Sequence, residues 1–232
     1  MADLLQNAEV IRLLDMGKDG LLFAIWETLY VTVISTFFAY VIGLPLGVIT
    51  VVGERDGVLP LPKPVMTVLN FIINILRSVP FLILMVVVIP LSRLILGTSI
   101  GTVATIVPLI VAAFPFVARL VEASLREVDS GVVEAAQSMG ASRFQIVKKV
   151  FLPEALPSLI LGASISIITI LAYTAIAGAV GAGGLGDLAI RYGYQRRVPS
   201  MMWVTVILII VLVQVIQSLF SWLSTKMDKR LR

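Results

Sequence analysis

Five stretches of about twenty mostly apolar residues dominate this sequence and leave it few ways to fold. A helix needs roughly 20 such residues to cross the hydrocarbon core of a bilayer, and residues 28–52, 64–89, 101–121, 157–180 and 201–223 meet that length. In lipid every backbone amide and carbonyl must find its partner within the chain, so segments of this kind become helices. The 232 residues are 59% hydrophobic and 14% charged, whereas an ordinary soluble domain carries about 25% charge. The expected fold class is an all-α integral membrane protein with about five transmembrane helices, forming a single transmembrane domain over 1–232.

The interruptions within these stretches carry information. Gly43, Pro45 and Gly47 predict a bend near the end of the first span. Asn70, Asn74, Arg77 and Pro80 make the second too polar to face lipid on all sides, and Pro80 opens that helix. Pro108 and Pro115 in the third are tolerated where neighbouring helices satisfy the freed backbone groups.

Orientation is read from the basic residues. Arg55, Lys63, Arg126, Arg143, Lys148, Lys149, Lys226, Lys229, Arg230 and Arg232 fall on one side of a five-span chain. The positive-inside rule makes that side cytoplasmic, with the N-terminus outside and the C-terminus inside. The bias is not clean, because Arg12, Lys18, Arg93, Arg191, Arg196 and Arg197 fall on the other side. Basic residues at span ends set orientation, so the formal charge of +4 is no sign of nucleic-acid binding. Residues 1–27 read as an N-terminal surface segment on the outer side. Asp15, Lys18 and Asp19 disfavour a sixth span, and an amphipathic surface helix over 11–26 fits them better. The segment lacks the basic start and apolar core of a signal peptide.

Between the third and fourth spans the apolar pattern stops, over a loop at 126–156. Asp129-Ser130-Gly131 supplies a helix start, Val132 to Met139 a short helix, and Gly140 the positive φ that ends it. Ser142 and Gln145 have capping-box spacing for a second helix, which places Phe144, Val147 and Phe151 on one face and closes at Leu152-Pro153. Two short helices on a glycine hinge make a docking surface. Ala135, Ala136 and Gly140 let a partner approach the backbone, and Glu134 offers a carboxylate to a basic partner residue.

The order Glu134-Ala135-Ala136, three residues, Gly140, nine residues, Val150, one residue, Leu152-Pro153 resembles the signature of bacterial ATP-binding-cassette (ABC) importer permeases. Val150 stands where that signature commonly has Ile. The resemblance implies a type I ABC importer permease fold, with short cytoplasmic coupling helices that seat in clefts of the ATPase subunits. Coupling would then fall to Glu134, Ala135, Ala136, Gly140, Ala141, Ser142, Leu152 and Pro153. It also implies a second copy of the chain, two ATPase subunits and an extracytoplasmic substrate-binding protein. ATP and Mg would sit on the partner ATPase, with no cofactor on this chain. The segments 74–81, 97–101 and 178–186 further resemble the methionine-uptake permeases of the bacterial inner membrane. Permeases for glycine betaine, phosphonate or sulfonate share the signature, so the choice of methionine rests on that likeness alone.

Gly181-Ala182-Gly183-Gly184-Leu185-Gly186 matches a dinucleotide fingerprint literally. That motif has meaning only after a strand and before a helix. Following a membrane helix, it reads as a turn or re-entrant bend that lets helices pack closely. Arg77, Ser78 and Pro80 are the pathway or gate residues the sequence offers, since an arginine at mid-membrane costs about 2.5–3.5 kcal/mol on insertion scales. The rival reading pairs Arg77 with Glu122 or a carbonyl.

Other functions lack their residues. There is no GxxxxGK[ST] loop, so the chain is not itself the ATPase. An ion-coupled carrier would show internal repeats and intramembrane carboxylates. An intramembrane enzyme would need groups this chain does not supply, since it has neither histidine nor cysteine.

Overall fold

The computed structural model describes residues 20–228. The surface helix expected over 11–26 lies largely outside them, as do Arg12, Lys18, Lys229, Arg230 and Arg232. The elements are α1 (Leu21–Val52), α2 (Lys63–Ser78), α3 (Phe81–Leu96), α4 (Thr102–Arg126), α5 (Ser130–Ser138), α6 (Arg143–Ile146), a π-helical turn (Val147–Phe151), α7 (Leu152–Glu154), α8 (Leu156–Gly178), α9 (Gly184–Leu188), a second π-helical turn (Ala189–Gln195) and α10 (Pro199–Met227).

Four helices, α1, α4, α8 and α10, are each long and apolar enough to cross a membrane, and α2 with α3 meets the same test only as a pair. The second span expected over 64–89, with its opening at Pro80, takes the form of two helices, α2 and α3, bent by 111°. Proline disfavours helical dihedrals at the residue before it, and Val79 (ψ 126°) and Pro80 (ψ 135°) are both extended. α1 is one continuous helix through Gly43, Pro45 and Gly47, and it begins at Leu21, seven residues before the expected start. α4 runs through Pro108 and Pro115 and continues to Arg126, beyond the expected end at 121.

The described residues form two compact units: residues 20–37, 80–111 and 167–216, and residues 38–79, 112–166 and 217–228. The helices α1, α4, α8 and α10 contribute to both. In the first unit Leu21, Ala24, Leu185, Leu188, Tyr192 and Met201 form the apolar core. The glycine segment is packed tightly there. A Cβ on Gly178 would lie 2.3 Å from the Asp187 nitrogen, and one on Gly186 would lie 2.5 Å from the Ala175 carbonyl. Two side chains of α1 cap α9: Glu27 accepts from the Gly184 amide and Thr28 from the Leu185 amide, both at 2.9 Å. Gly183 and Gly184 have positive φ and leave no room for a Cβ against Glu27 and Thr28. The segment is thus a close-packed turn, as its place after a membrane helix implies.

In the second unit α1 meets α4 through Gly43 and Gly47. A Cβ on Gly43 would fall 2.7 Å from the Phe114 carbonyl, and one on Gly47 would fall 2.5 Å from that of Ala118. Small residues four apart let two membrane helices touch backbone to backbone, where dispersion replaces the missing hydrophobic drive. Val117, Ala118 and Val121 on α4 are buried. Ser158 donates to Ser124 at 3.0 Å, and Ser224 to the Pro157 carbonyl at 2.9 Å.

Candidate functional site: a helical hinge and its charged anchor

The loop after α4 is built by local chemistry. Asp129 caps α5 by accepting from the Gly131 amide at 2.6 Å. At the other end Gly140 takes φ 78° with nothing near its Cβ position, so glycine is required by dihedral and not by space. The Ala141 amide reaches back to the Ala136 carbonyl at 3.1 Å and the Gly140 amide to that of Gln137 at 2.9 Å, closing the helix end. The capping box is complete: Ser142 accepts from the Gln145 amide, and the Gln145 side chain accepts from the Ser142 amide at 2.8 Å.

The second helix differs from expectation in two respects. Its buried residues are Ile146 and Phe151, while Phe144 is 72% exposed. Of the three residues expected on one face, Phe151 is buried, Val147 half-buried and Phe144 open to the surroundings. Leu152-Pro153 also does not close it, because helical backbone continues through Glu154. The reason lies in the π turn. Proline cannot donate to the i−4 carbonyl and its ring clashes there. A turn widened over Val147–Phe151, with the Leu152 amide donating to the Val147 carbonyl, carries the chain past that position.

Of the residues singled out by sequence, Glu134, Ala135, Gly140, Ser142 and Pro153 are exposed, Ala141 and Leu152 are half-buried, and Ala136 is turned inward. Two large apolar side chains flank the hinge in the open: Met139, 81% exposed, and Phe144.

Where the loop leaves α4, a charged network ties it down. Arg126, the last residue of α4, holds Glu54 with two guanidinium hydrogen bonds (2.6 and 3.2 Å) and Glu122 with two more (2.9 and 3.2 Å). Glu122 is also bound by Arg119. The second terminal nitrogen of Arg119 donates to the amide oxygens of Asn70 and Asn74, 2.8 Å each. Asn70 and Asn74 stand four apart on α2 and so share one face. Two cations and two anions cancel, which lets Arg119 and Glu122 sit only 21% and 13% exposed. The loop's first residue is thereby fastened to the chain just beyond α1 and, through Glu122 and Arg119, to α2.

Sequence reasoning passed over this network. Its signal was present: Arg119, Glu122 and Arg126 interrupt an otherwise apolar run at i, i+3 and i+7, the spacing of one helix face. Arg77 is exposed in the last turn of α2 and has no ion-pair partner among the described residues. Its pairing with Glu122 is not observed, because Arg119 and Arg126 occupy that carboxylate. Ser78 donates to the Asn74 carbonyl at 2.8 Å, and Pro80 starts α3.

Apolar helices long enough to span a membrane, with an exposed, charge-anchored helical hinge between two of them, fit the membrane subunit of a transport system. The chain belongs to the family of binding-protein-dependent transport system inner membrane components, whose model matches residues 43–232. It is thus a multi-pass protein of the inner membrane. It is 51% identical to the probable D-methionine transport system permease protein MetI of Vibrio cholerae over 93% of this chain and 95% of that one. The D-methionine transport system permease protein MetI of Escherichia coli K12 is 51% identical over 66% of this chain and 70% of its own length. Among solved structures, a chain of the MetNI methionine ABC transporter in inward-facing conformations matches with a TM-score of 0.88 at 43% identity, covering 96% of this chain and all of that one.

Proposed function

We infer that this chain is the membrane-spanning permease subunit of an ATP-driven importer whose cargo is methionine. Its partners are two ATPase subunits, a second copy of itself and an extracytoplasmic binding protein, and ATP hydrolysis takes place on the separate ATPase. Likeness to methionine permeases over nearly the whole chain supports the cargo. The observation that carries the mechanism is the exposed hinge at 126–156, with its carboxylate at Glu134 and its root pinned by Arg126.

The loop is the surface on which the ATPase acts, and Glu134, Ala135, Gly140 and Ser142 form its contact side. Ala136 sets how closely α5 lies against its own chain. Closure of the ATPase displaces α5 and the residues after Gly140. Because Arg126 holds Glu54 and Glu122, that displacement reaches the end of α1, and through Arg119 it reaches α2. Transport then requires only that closure favour one of two arrangements of these helices. The polar residues Asn74, Arg77 and Ser78 on α2, and the break at Pro80, belong to the translocation path. The loop and the C-terminus face the cytoplasm and the N-terminus lies outside, in keeping with the basic residues of the loop.

Glu134→Lys tests the reading. The residue is exposed and off the core, so the variant folds and enters the membrane normally, yet ATP hydrolysis by the assembled complex no longer drives methionine uptake. Wild-type uptake in this variant removes Glu134 from the contact.

A further inference from the structure

Between α9 and α10 lies a feature that coupling does not use. From Ala189 to Gln195 the backbone winds as a seven-residue π-helix, a rare wide turn that is frequent at functional sites. Arg197 follows with φ 56°, a left-handed conformation that glycine adopts freely and arginine rarely. An outlier of this kind persists where something beyond local propensity holds it.

The arginines of this turn are treated differently. Arg191 pairs with Asp187 at 2.9 Å, and Arg196 lies over the Tyr192 ring, 4.4 Å from its centre. Arg197 has no carboxylate partner among the described residues. It lines a cleft of about 590 Å³ together with Tyr194, Gln195, Met202 and Trp203. Gly193 brings the π turn onto α10, since a Cβ there would lie 2.9 Å from that of Met202. Tyr194 and Trp203 stand open at the rim, 71% and 59% exposed.

The cleft therefore has a cationic, hydrogen-bonding end and an apolar, aromatic wall, with no carboxylate in its lining. That wall is the start of α10, whose most apolar window is only 6% buried, against 56% for α4. In a membrane protein so little-buried a helix is covered by lipid or by a second copy, and the cationic, hydrogen-bonding end of this cleft favours a lipid headgroup. A planar guanidinium binds phosphate oxygens with charge-assisted hydrogen bonds, and tryptophan and tyrosine settle at headgroup level. We propose that this cleft binds the phosphodiester headgroup of an anionic phospholipid, with Arg197 and Gln195 on the phosphate and Met202 and Trp203 along the glycerol and first methylenes. The π turn and the left-handed backbone at Arg197 place this residue in the lining of the cleft.

Native mass spectrometry of the full-length protein, titrated with phosphatidylglycerol and with phosphatidylcholine, tests this. Phosphatidylglycerol is expected to be retained preferentially. Arg197→Gly relieves the positive φ, so its fold is at least as stable as the parent's, yet its retention of phosphatidylglycerol falls about tenfold, the effect of losing one charge-assisted hydrogen bond. Arg197→Lys keeps the charge and a larger share of binding than Arg197→Gly. Inorganic phosphate at equal concentration does not displace the lipid. Unchanged retention in Arg197→Gly overturns the proposal, and so does equal competition by inorganic phosphate, which would mark a soluble-anion site. Photocrosslinking from position 203 to a second copy instead of to lipid overturns it as well.

Discussion

Removing the Glu54 carboxylate separates coupling from folding. In Glu54→Gln the bidentate hold of Arg126 is lost, but Arg126 keeps its two hydrogen bonds to Glu122. Both members of the broken pair are almost half exposed, 46% and 47%, and such pairs contribute about 0–1 kcal/mol. Thermal stability should therefore shift by a few degrees at most. If about 1 kcal/mol links the loop's root to the end of α1, its loss changes the balance between the two helix arrangements by about fivefold. Arg126→Met is more severe, because Glu122 is 13% exposed and loses charge-assisted hydrogen bonds of about 1.5–3 kcal/mol. The assay is methionine taken up per ATP hydrolysed by the reconstituted complex, measured for Glu54→Gln, Arg126→Met and the double variant. Transmission through this pair predicts a lower ratio in Glu54→Gln and no further loss on adding that change to Arg126→Met. A ratio equal to wild type in Glu54→Gln, or fully additive losses, refutes it.

Other variants probe separate parts of the account. Gly47→Ala places a methyl 2.5 Å from the Ala118 carbonyl and should cost about 1–3 kcal/mol through overpacking, seen as a lower melting temperature in detergent. Gly140→Ala meets no neighbour but must hold φ 78°; it should cost about 1–2 kcal/mol locally and weaken ATPase retention on co-purification more than Gly140→Asn, since asparagine tolerates that region. Arg77→Met changes an exposed residue that has no ion-pair partner among the described residues, so stability should stay within about 0.5 kcal/mol while uptake is lost; normal uptake excludes a pathway role.

What could be read in advance follows the range of each interaction. The caps at Asp129 and at Ser142 with Gln145 join residues two or three apart, and both are present. The positive φ of Gly140 is likewise a local demand. Pro80 marked an opening in the second span, but its 111° angle has no counterpart in the local sequence. The end of α4 was placed too early because Glu122 and Arg126 look like the edge of a span. They remain helical because Glu54, 72 residues from Arg126 in sequence, supplies a compensating charge. Asn70 and Asn74 looked merely polar until Arg119, 49 and 45 residues away, met them both. The π turn before Pro153 leaves no mark in hydropathy.

The central claim is that work enters this chain from a separate ATPase through the loop at 126–156. Its most direct test is methionine uptake into proteoliposomes containing the permease with its ATPase and binding protein, compared with the permease alone under an ion gradient. Accumulation that requires the ATPase and ATP, and that Glu134→Lys abolishes, is the predicted result. Accumulation by the permease alone contradicts it.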